Sequence, residues 1–302
     1  MDGILLVIKP PDMTSFDVVA WLRKISGVRK IGHAGTLDPA ACGLLPVCIG
    51  KATKAIEAFQ NYGKSYRAEM VLGVVTNTQD GEGQIIEEKS VFLMPGDVES
   101  VLSEFVGNYE QVPPMFSAVK INGKRLYDLA RQGIEVERKG REVTITALKL
   151  LDIKTDGNHP VVRFDVNCSK GTYIRTLCHD IGKKLGCGAH MSFLIRTMVG
   201  PFRLEKAVTL EEIEKCKSEG MLQSVLISAD VLFQDYSPVY LKDMEIKRFV
   251  NGALVVCEAK KPETCSEKVR IYSDSSHFVG LGTVSYNNGS MLIKPEKLFS
   301  SI

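Results

Sequence analysis

The chain has 302 residues, 44% of them hydrophobic and 25% charged, with a formal net charge of +2. That length and balance describe a folded globular protein with a large buried core and exclude a disordered or fibrous chain. No stretch approaches the roughly 18 uninterrupted apolar residues of a membrane span. The opening MDGILLVIKPPD carries an acidic second residue and only a five-residue apolar run, so no secretory signal is read and a cytoplasmic location is expected.

In chain order, ILLVI (4–8) reads as a short buried strand stopped by Lys9-Pro10-Pro11. Thr14 or Ser15 can cap a helix from Asp17 to Ile25, with Val18, Val19, Leu22 and Ile25 on one face. Residues 31–50 read as a Gly-rich loop leading into an apolar stretch, followed by a helix near 51–61. SYRAEMVLGVV alternates Tyr66, Ala68, Met70 and Leu72 with their neighbours, as a half-buried strand does. NTQDGEGQ (77–84) is a turn, and DVESVLSEFVG a helix with Asp97 as N-cap and Gly107 just beyond its end.

Residues 112–142 form a basic excursion with one short helix at 126–132. REVTITALKLLDI and PVVRFDVNC read as paired strands, GTYIRTLCHDIGKKLG as a helix stopped by Gly186, and MSFLIRTMVG as a returning strand. Thr209 caps a further helix, TLEEIEKCKSEG. From about 230 the texture becomes short strands and turns, including YNNGS, which predicts a small β-rich domain.

Charge is segregated along the chain. Residues 119–141 hold seven Lys/Arg against three Asp/Glu, and 163–206 eight against three, whereas 80–110 hold eight acids and one base. Basic faces bind phosphate backbones, although ordinary solvated surface has the same composition. Residues 230–302 carry nine bases and nine acids and so make no strongly basic clamp. The eight cysteines, Cys265 among them, include no C-x-x-C pair, and Cys187 with His190 has no second pair nearby. No metal site is expected, and the cysteines read as small core residues.

The most unusual segment is GHAGTLDPAACGLLPVCIGKATK (32–54). Its glycines and small alanines let backbone approach a ligand closely, and Pro39 forces Asp38 out of helical geometry. A carboxylate on such a loop suits catalysis, and a plain Asp-Pro turn explains the same residues equally well. The segment is not a phosphate-binding G-x-x-x-x-G-K-[ST] loop.

GHAGTLDPAACGLLPV resembles the signature of bacterial tRNA pseudouridine synthases of the TruB type. LLVIKPPDMTS resembles that family's opening segment, with Asp12 where the usual form has Gly. KSYRAEMVLGVVTNTQDGEG, QVPPMFSAVKINGKRLYDLARQGIEV and CSKGTYIRTLCHDIGKKLGCGAHMSFLIRTMVGPF are similar to later family segments, in order, across residues 1–230.

The resemblance implies an α+β fold, with a mixed, mostly antiparallel central sheet flanked by helices and a small C-terminal β-barrel of PUA type. It implies a catalytic domain at 1–229, with an RNA-gripping insertion at 112–142, and a PUA-like RNA-binding domain at 230–302. The implied reaction is isomerisation of uridine to pseudouridine at position 55 of the tRNA T-loop, without metal, nucleotide or redox cofactor. Asp38 matches the catalytic aspartate, Arg175 the arginine that pairs with it, and Tyr66 the active-site tyrosine. His33, Tyr173 and Leu194 match positions around the flipped base, and Lys9 with Pro10 a structural element. Lys120, Lys124, Arg125, Arg131 and Arg141, with Arg138, Lys139, Tyr127 and Phe116, are the expected tRNA contacts. A monomer without an obligatory protein partner is expected. The competing readings are an RNA-guided relative, an RNA-binding module without turnover, and a nucleoside hydrolase.

Overall fold

The structure, a computed structural model, describes residues 1–299 apart from 93, 122, 156, 258–266 and 288–289. Cys265 and the centre of the YNNGS turn lie outside the described residues. The chain begins β1 (Gly3–Lys9), α1 (Ser15–Ser26), β2 (Ile31–His33) and β3 (Cys42–Ile49), then a 3₁₀ turn over Gly50–Ala55 and α2 (Ile56–Phe59). It continues through β4 (Lys64–Leu72), β5 (Val74–Thr76), β6 (Ile85–Glu88), α3 (Pro95–Glu104) and β7 (Gly107–Gln111). The basic excursion holds β8 (Lys120–Ile121), β9 (Lys124–Arg125) and α4 (Leu126–Ala130). After it come β10 (Arg141–Lys154), β11 (Val161–Cys168), α5 (Ile174–Lys184), β12 (Ala189–Val199), β13 (Phe202–Arg203) and α6 (Leu210–Ser218). The last elements are β14 (Ser237–Leu241), α7 (Asp243–Val250), β15 (Val255–Cys257), β16 (Lys268–Ser273), β17 (Phe278–Asn287) and β18 (Ser290–Leu298).

The central sheet runs β1-β3-β12-β4-β11-β10-β7, with β2 beside β3 and β13 beside β12. Every pairing is antiparallel except β12 against β3, so the sheet is mixed and mostly antiparallel, as expected. One face of β4 sends Tyr66, Ala68, Met70 and Leu72 into a core with Phe164, Leu177 and Ile181. The other face carries Arg67 paired to Asp165 and Glu69 paired to Arg163. β1 and β3 are buried on both faces: Ile4, Leu6 and Leu44 enter one core and Leu5, Val7 and Leu45 another. That explains why β3 carries no alternating signal and was expected only as an apolar stretch after a loop.

Pro46 sits inside β3, and the sheet tolerates it for a local reason. Its carbonyl accepts from Ala34 N at 2.8 Å, just past β2, while β12 pairs only with Cys42 and Gly43. The missing Pro46 N–H therefore falls in the gap between two neighbours and breaks no ladder bond.

Smaller expectations shift. The helix near 51–61 is a 3₁₀ turn plus one α-helical turn. Asp97 is not the N-cap of α3 but its third residue, accepting the Met94 N–H at 2.8 Å. Thr14 rather than Ser15 caps α1, and Thr209 caps α6, both in reciprocal capping boxes. Asp12 adopts φ +64°, which accounts for the glycine usual at that place; Asp tolerates the left-handed region better than most residues.

The C-terminal strands form a five-stranded curled sheet, β14-β16-β17-β18-β15, with Ile246 and Phe249 of α7 in its core. Tyr272, Phe278 and Phe299 of this unit pack in one cluster with Leu44, Phe59 and Phe202 of the preceding chain. Cys48, Cys168, Cys178, Cys187 and Cys257 are buried, and burial pushes the Cys48 thiol up to about 12.

Gly43 is where β3 meets β12 most closely. Its φ is +100°, and a Cβ there would lie 2.5 Å from the Arg196 carbonyl oxygen. Gly43→Ala should lose about 2–4 kcal/mol of stability from strain and overlap combined, measurable by denaturant unfolding.

Candidate active site

Asp38 follows β2 on a loop that four separate groups hold. Ser15, buried at the start of α1, accepts the Leu37 N–H at 2.9 Å through its hydroxyl. Asp12 N donates to Pro39 O at 3.0 Å. Lys9, fully buried, donates from Nζ to the carbonyls of Pro10 (2.9 Å), Met13 (2.5 Å) and Pro39 (2.9 Å). Burial holds the Lys9 ammonium below the usual lysine range, with Cys42 and Asp38 opposing. Arg196 of β12, only 1% exposed, donates from Nε to Leu44 O at 2.8 Å and from Nη2 to Gly35 O at 3.1 Å.

The second half of the site stands on α5. Arg175 points its guanidinium across three other segments: Nε lies 2.9 Å from Asp38 Oδ2 and Nη1 3.2 Å from Asp80 Oδ2. Nη1 also donates to Thr78 O (3.3 Å) and Nη2 to Phe116 O (2.9 Å). The Arg175 side chain is 6% exposed and Asp38 41%, so the cation is covered while the carboxylate faces the cleft. Among the described residues Asp38 Oδ1 has no hydrogen-bond partner. One oxygen is anchored and the other is open to a ligand.

The cleft has a volume of about 650 Å³, and Tyr66, Tyr173, Leu194, Phe116, Tyr127 and Lys64 contribute to its walls. Burial pushes the Tyr66 hydroxyl up to about 12, partly offset by the Arg196 guanidinium. At neutral pH it is therefore a proton donor and not a base. Tyr173 precedes α5, and the fully buried Gln111 amide binds both its N–H (2.8 Å) and its carbonyl (3.0 Å). Arg141 stacks over the Tyr173 ring at 4.7 Å and donates to Gly171 O.

Asp38, Tyr66, Arg175, Tyr173 and Leu194 thus converge. Arg131 and Arg141 also reach the wall, and Arg125 and Arg131 flank the Tyr127 ring, each 5.7 Å from its centroid. Lys120, Lys124 and Arg125 lie exposed on the β8–β9 hairpin outside the cleft. His33 lies on β2 opposite Val47 and does not contribute to the cleft wall; burial holds its imidazole below the usual range. Arg138 pairs with Glu135.

Asp80 was not anticipated. It lies in the turn at 77–84, 8% exposed, and its carboxylate accepts from Thr78 Oγ1 (2.5 Å) and Glu82 N (3.2 Å) besides Arg175. Asp-Gly turns are usually structural, so no local pattern marked it. Arg196 and Lys64 were likewise read only as strand residues.

Comparison with known proteins identifies this arrangement. The model described as "TruB family pseudouridylate synthase (N terminal domain)" matches residues 23–174. Two C-terminal models, "tRNA pseudouridylate synthase B C-terminal domain" and "Pseudouridine synthase II TruB, C-terminal", match 175–234 and 237–299. The chain is 44% identical to a "tRNA pseudouridine synthase B" of Alkaliphilus oremlandii, over 94% of this chain and 93% of that one. It is 43% identical to the protein of that name from Clostridioides difficile, over 99% and 100% of the two chains. Among solved structures it resembles a chain of "a Cbf5-Nop10-Gar1 Complex" with TM-score 0.71 and 29% identity, over 99% of this chain and 85% of that one. Matched over its length by these models and relatives, the chain belongs to the TruB family of pseudouridylate synthases.

Proposed function

We propose that this enzyme, a pseudouridine synthase acting on tRNA, converts the uridine at position 55 of the T-loop with Asp38 as its essential carboxylate. The observation that carries the reading is the 2.9 Å contact between Asp38 and the covered Arg175. The guanidinium holds and aims the carboxylate, and leaves Oδ1 free toward a base turned out of its stack. From there a carboxylate can attack C1′ or remove a proton at C2′, breaking the N1–C1′ bond. The uracil then turns and C5 bonds to C1′ as the bond from Asp38 to C1′ breaks or the C2′ proton is returned. The C5 proton is lost and N1 takes one up, so no net water or redox partner is consumed. The Tyr66 and Tyr173 rings offer surfaces for the freed base, and the protonated Tyr66 hydroxyl can donate to it.

We assign residues 1–229 to this chemistry, the insertion 112–142 to gripping the T-arm, and 230–302 to an auxiliary RNA contact. Arg131 lies in the cleft wall, and Lys120, Lys124 and Arg125 lie exposed on the hairpin that precedes it, where we assign the phosphate contacts. His33, at the end of β2 ahead of the Asp38 loop, is assigned a contact with the RNA near the flipped base. A monomer acting alone in the cytoplasm fits this scheme, and a purified tRNA transcript tests it: conversion without a guide RNA is expected. No conversion alone would favour a guided relative or a pure binder, and released uracil a hydrolase.

Asp38→Asn should still bind tRNA while conversion falls by about 10³-fold or more; normal turnover would remove Asp38 from the mechanism. Arg175→Lys keeps one charge but cannot span Asp38, Asp80 and Phe116 together, so kcat should fall about 10²-fold. Replacing Lys124, Arg125 and Arg131 by Ala should flatten the salt dependence of tRNA binding by a slope of about 2–3. An unchanged slope would exclude the hairpin as a phosphate grip.

A further inference from the structure

The helix that supplies Arg175 to the cleft has a second cavity, of about 650 Å³, along its other side. Gln79 and Thr176 stand in its wall, each next in sequence to residues of the cleft wall, and Thr176 Oγ1 donates to Gln79 Oε1 at 2.9 Å. The two spaces are thus separated by one turn and one helix face.

Phe105 and Tyr109 give this cavity an aromatic wall, their rings 5.4 Å apart and edge to face. Around it stand Arg138, His179, Asp180 and Lys183. Among the described residues, Arg138 Nε and His179 Nδ1 are buried without a hydrogen-bond partner, while Arg138 Nη2 pairs with Glu135. Among the described residues the Asp180 carboxylate has neither hydrogen bond nor ion pair; Lys183, one turn on, acts on it only through space. Burial raises the Asp180 carboxyl to about 6, against the opposing pull of Lys183. A half-buried carboxylate left uncompensated lowers stability at neutral pH, which the fold would avoid with Asn or Leu at no cost in packing.

A ligand that satisfied this set would be planar, to lie on the rings. It would offer two adjacent donors to the carboxylate and acceptors to the cationic side. Guanine has that pattern: N1–H and the N2 amine on one edge, O6 and N7 beyond, the latter pair being what arginine binds in nucleic acids. We propose that this cavity is a second base site, which takes an unpaired guanine of the RNA while the uridine occupies the cleft. The inference rests on the reading of this chain as a tRNA-modifying enzyme and adds a specificity determinant to it.

Saturation-transfer NMR with GMP, IMP and UMP on the full chain tests the site without turnover. GMP should bind saturably and IMP, lacking the N2 amine, about tenfold more weakly, as should UMP. Asp180→Asn and Arg138→Gln should each weaken GMP by about tenfold or more. Folding is checked in the same samples. A carboxyl raised from 3.8 to about 6 stabilises only while protonated, and that contribution is lost as pH rises through about 6. Asp180→Asn should therefore raise the melting temperature relative to the parent more at pH 7 than at pH 4. No GMP binding, equal binding of the three nucleotides, indifference to both variants, or an equal melting shift at the two pH values would overturn the site. A chain that converts uridine yet ignores GMP would overturn this inference alone, and one that binds GMP without converting uridine would overturn only the proposed activity.

Discussion

One guanidinium ties the molecule's working parts together. Arg175 reaches the Asp38 loop, the turn at 77–80 and the start of the basic insertion, and each contact uses a different edge of the same planar fork. Two carboxylates share a single cation, so neither is fully neutralised and both are held by it. Taking Arg175 away would leave a covered Asp80 without its charge partner, a loss typically of about 3–5 kcal/mol for buried pairs. The position of the Asp38 carboxylate is therefore coupled to the position of the basic insertion. A displacement of Phe116 would be felt at Asp38 through one rigid group.

The loop carrying Asp38 is fixed in a different way, by cations bonded to backbone carbonyls and not to acids. Lys9 satisfies three donors with three carbonyls, and Arg196 spans Leu44 and Gly35. Burying a charge is costly, and these two are tolerated because their hydrogens are met by dipoles that would otherwise be orphaned where strand pairing stops. The same arrangement leaves uncancelled positive charge behind the cleft, with Lys64 at its edge. That field favours an entering phosphate chain.

Much of this was legible in the residues, and the reasons for the rest are specific. Period-two alternation exposed β4, and capping residues exposed α1 and α6, because each element has one wet side. β3 has none: Leu44 and Leu45 enter opposite cores, so its pattern is simply apolar, and Pro46 argued against a strand. Asp38 and Arg175 could be paired only through family resemblance, since 137 positions separate them (175 − 38) and no local pattern reports a long-range ion pair. Asp80 and Arg196 were hidden for a related reason, and Lys9 was marked only through resemblance, as part of a structural element. Their partners are mostly carbonyls and a remote guanidinium, which sequence pattern does not encode. His33 could be singled out only through resemblance, since a half-buried histidine at a strand end carries no pattern of its own.

The contrast between the two kinds of cation has a consequence for how substrate is handled. Arg175, Arg196 and Lys9 are covered, so their contacts are weakly screened by salt and keep one geometry before RNA arrives. Arg125 and Arg131 are exposed, and each rests 5.7 Å from the Tyr127 ring centroid. A rigid centre with an adaptable rim suits a reaction whose substrate must be distorted on entry. Unstacking the base costs a few kcal/mol, and contacts made outside the cleft can offset it without disturbing the groups that do the chemistry. The C-terminal unit is charge-balanced and joined to the preceding chain through the Tyr272–Phe278–Phe299 cluster, an apolar seam that salt does not screen.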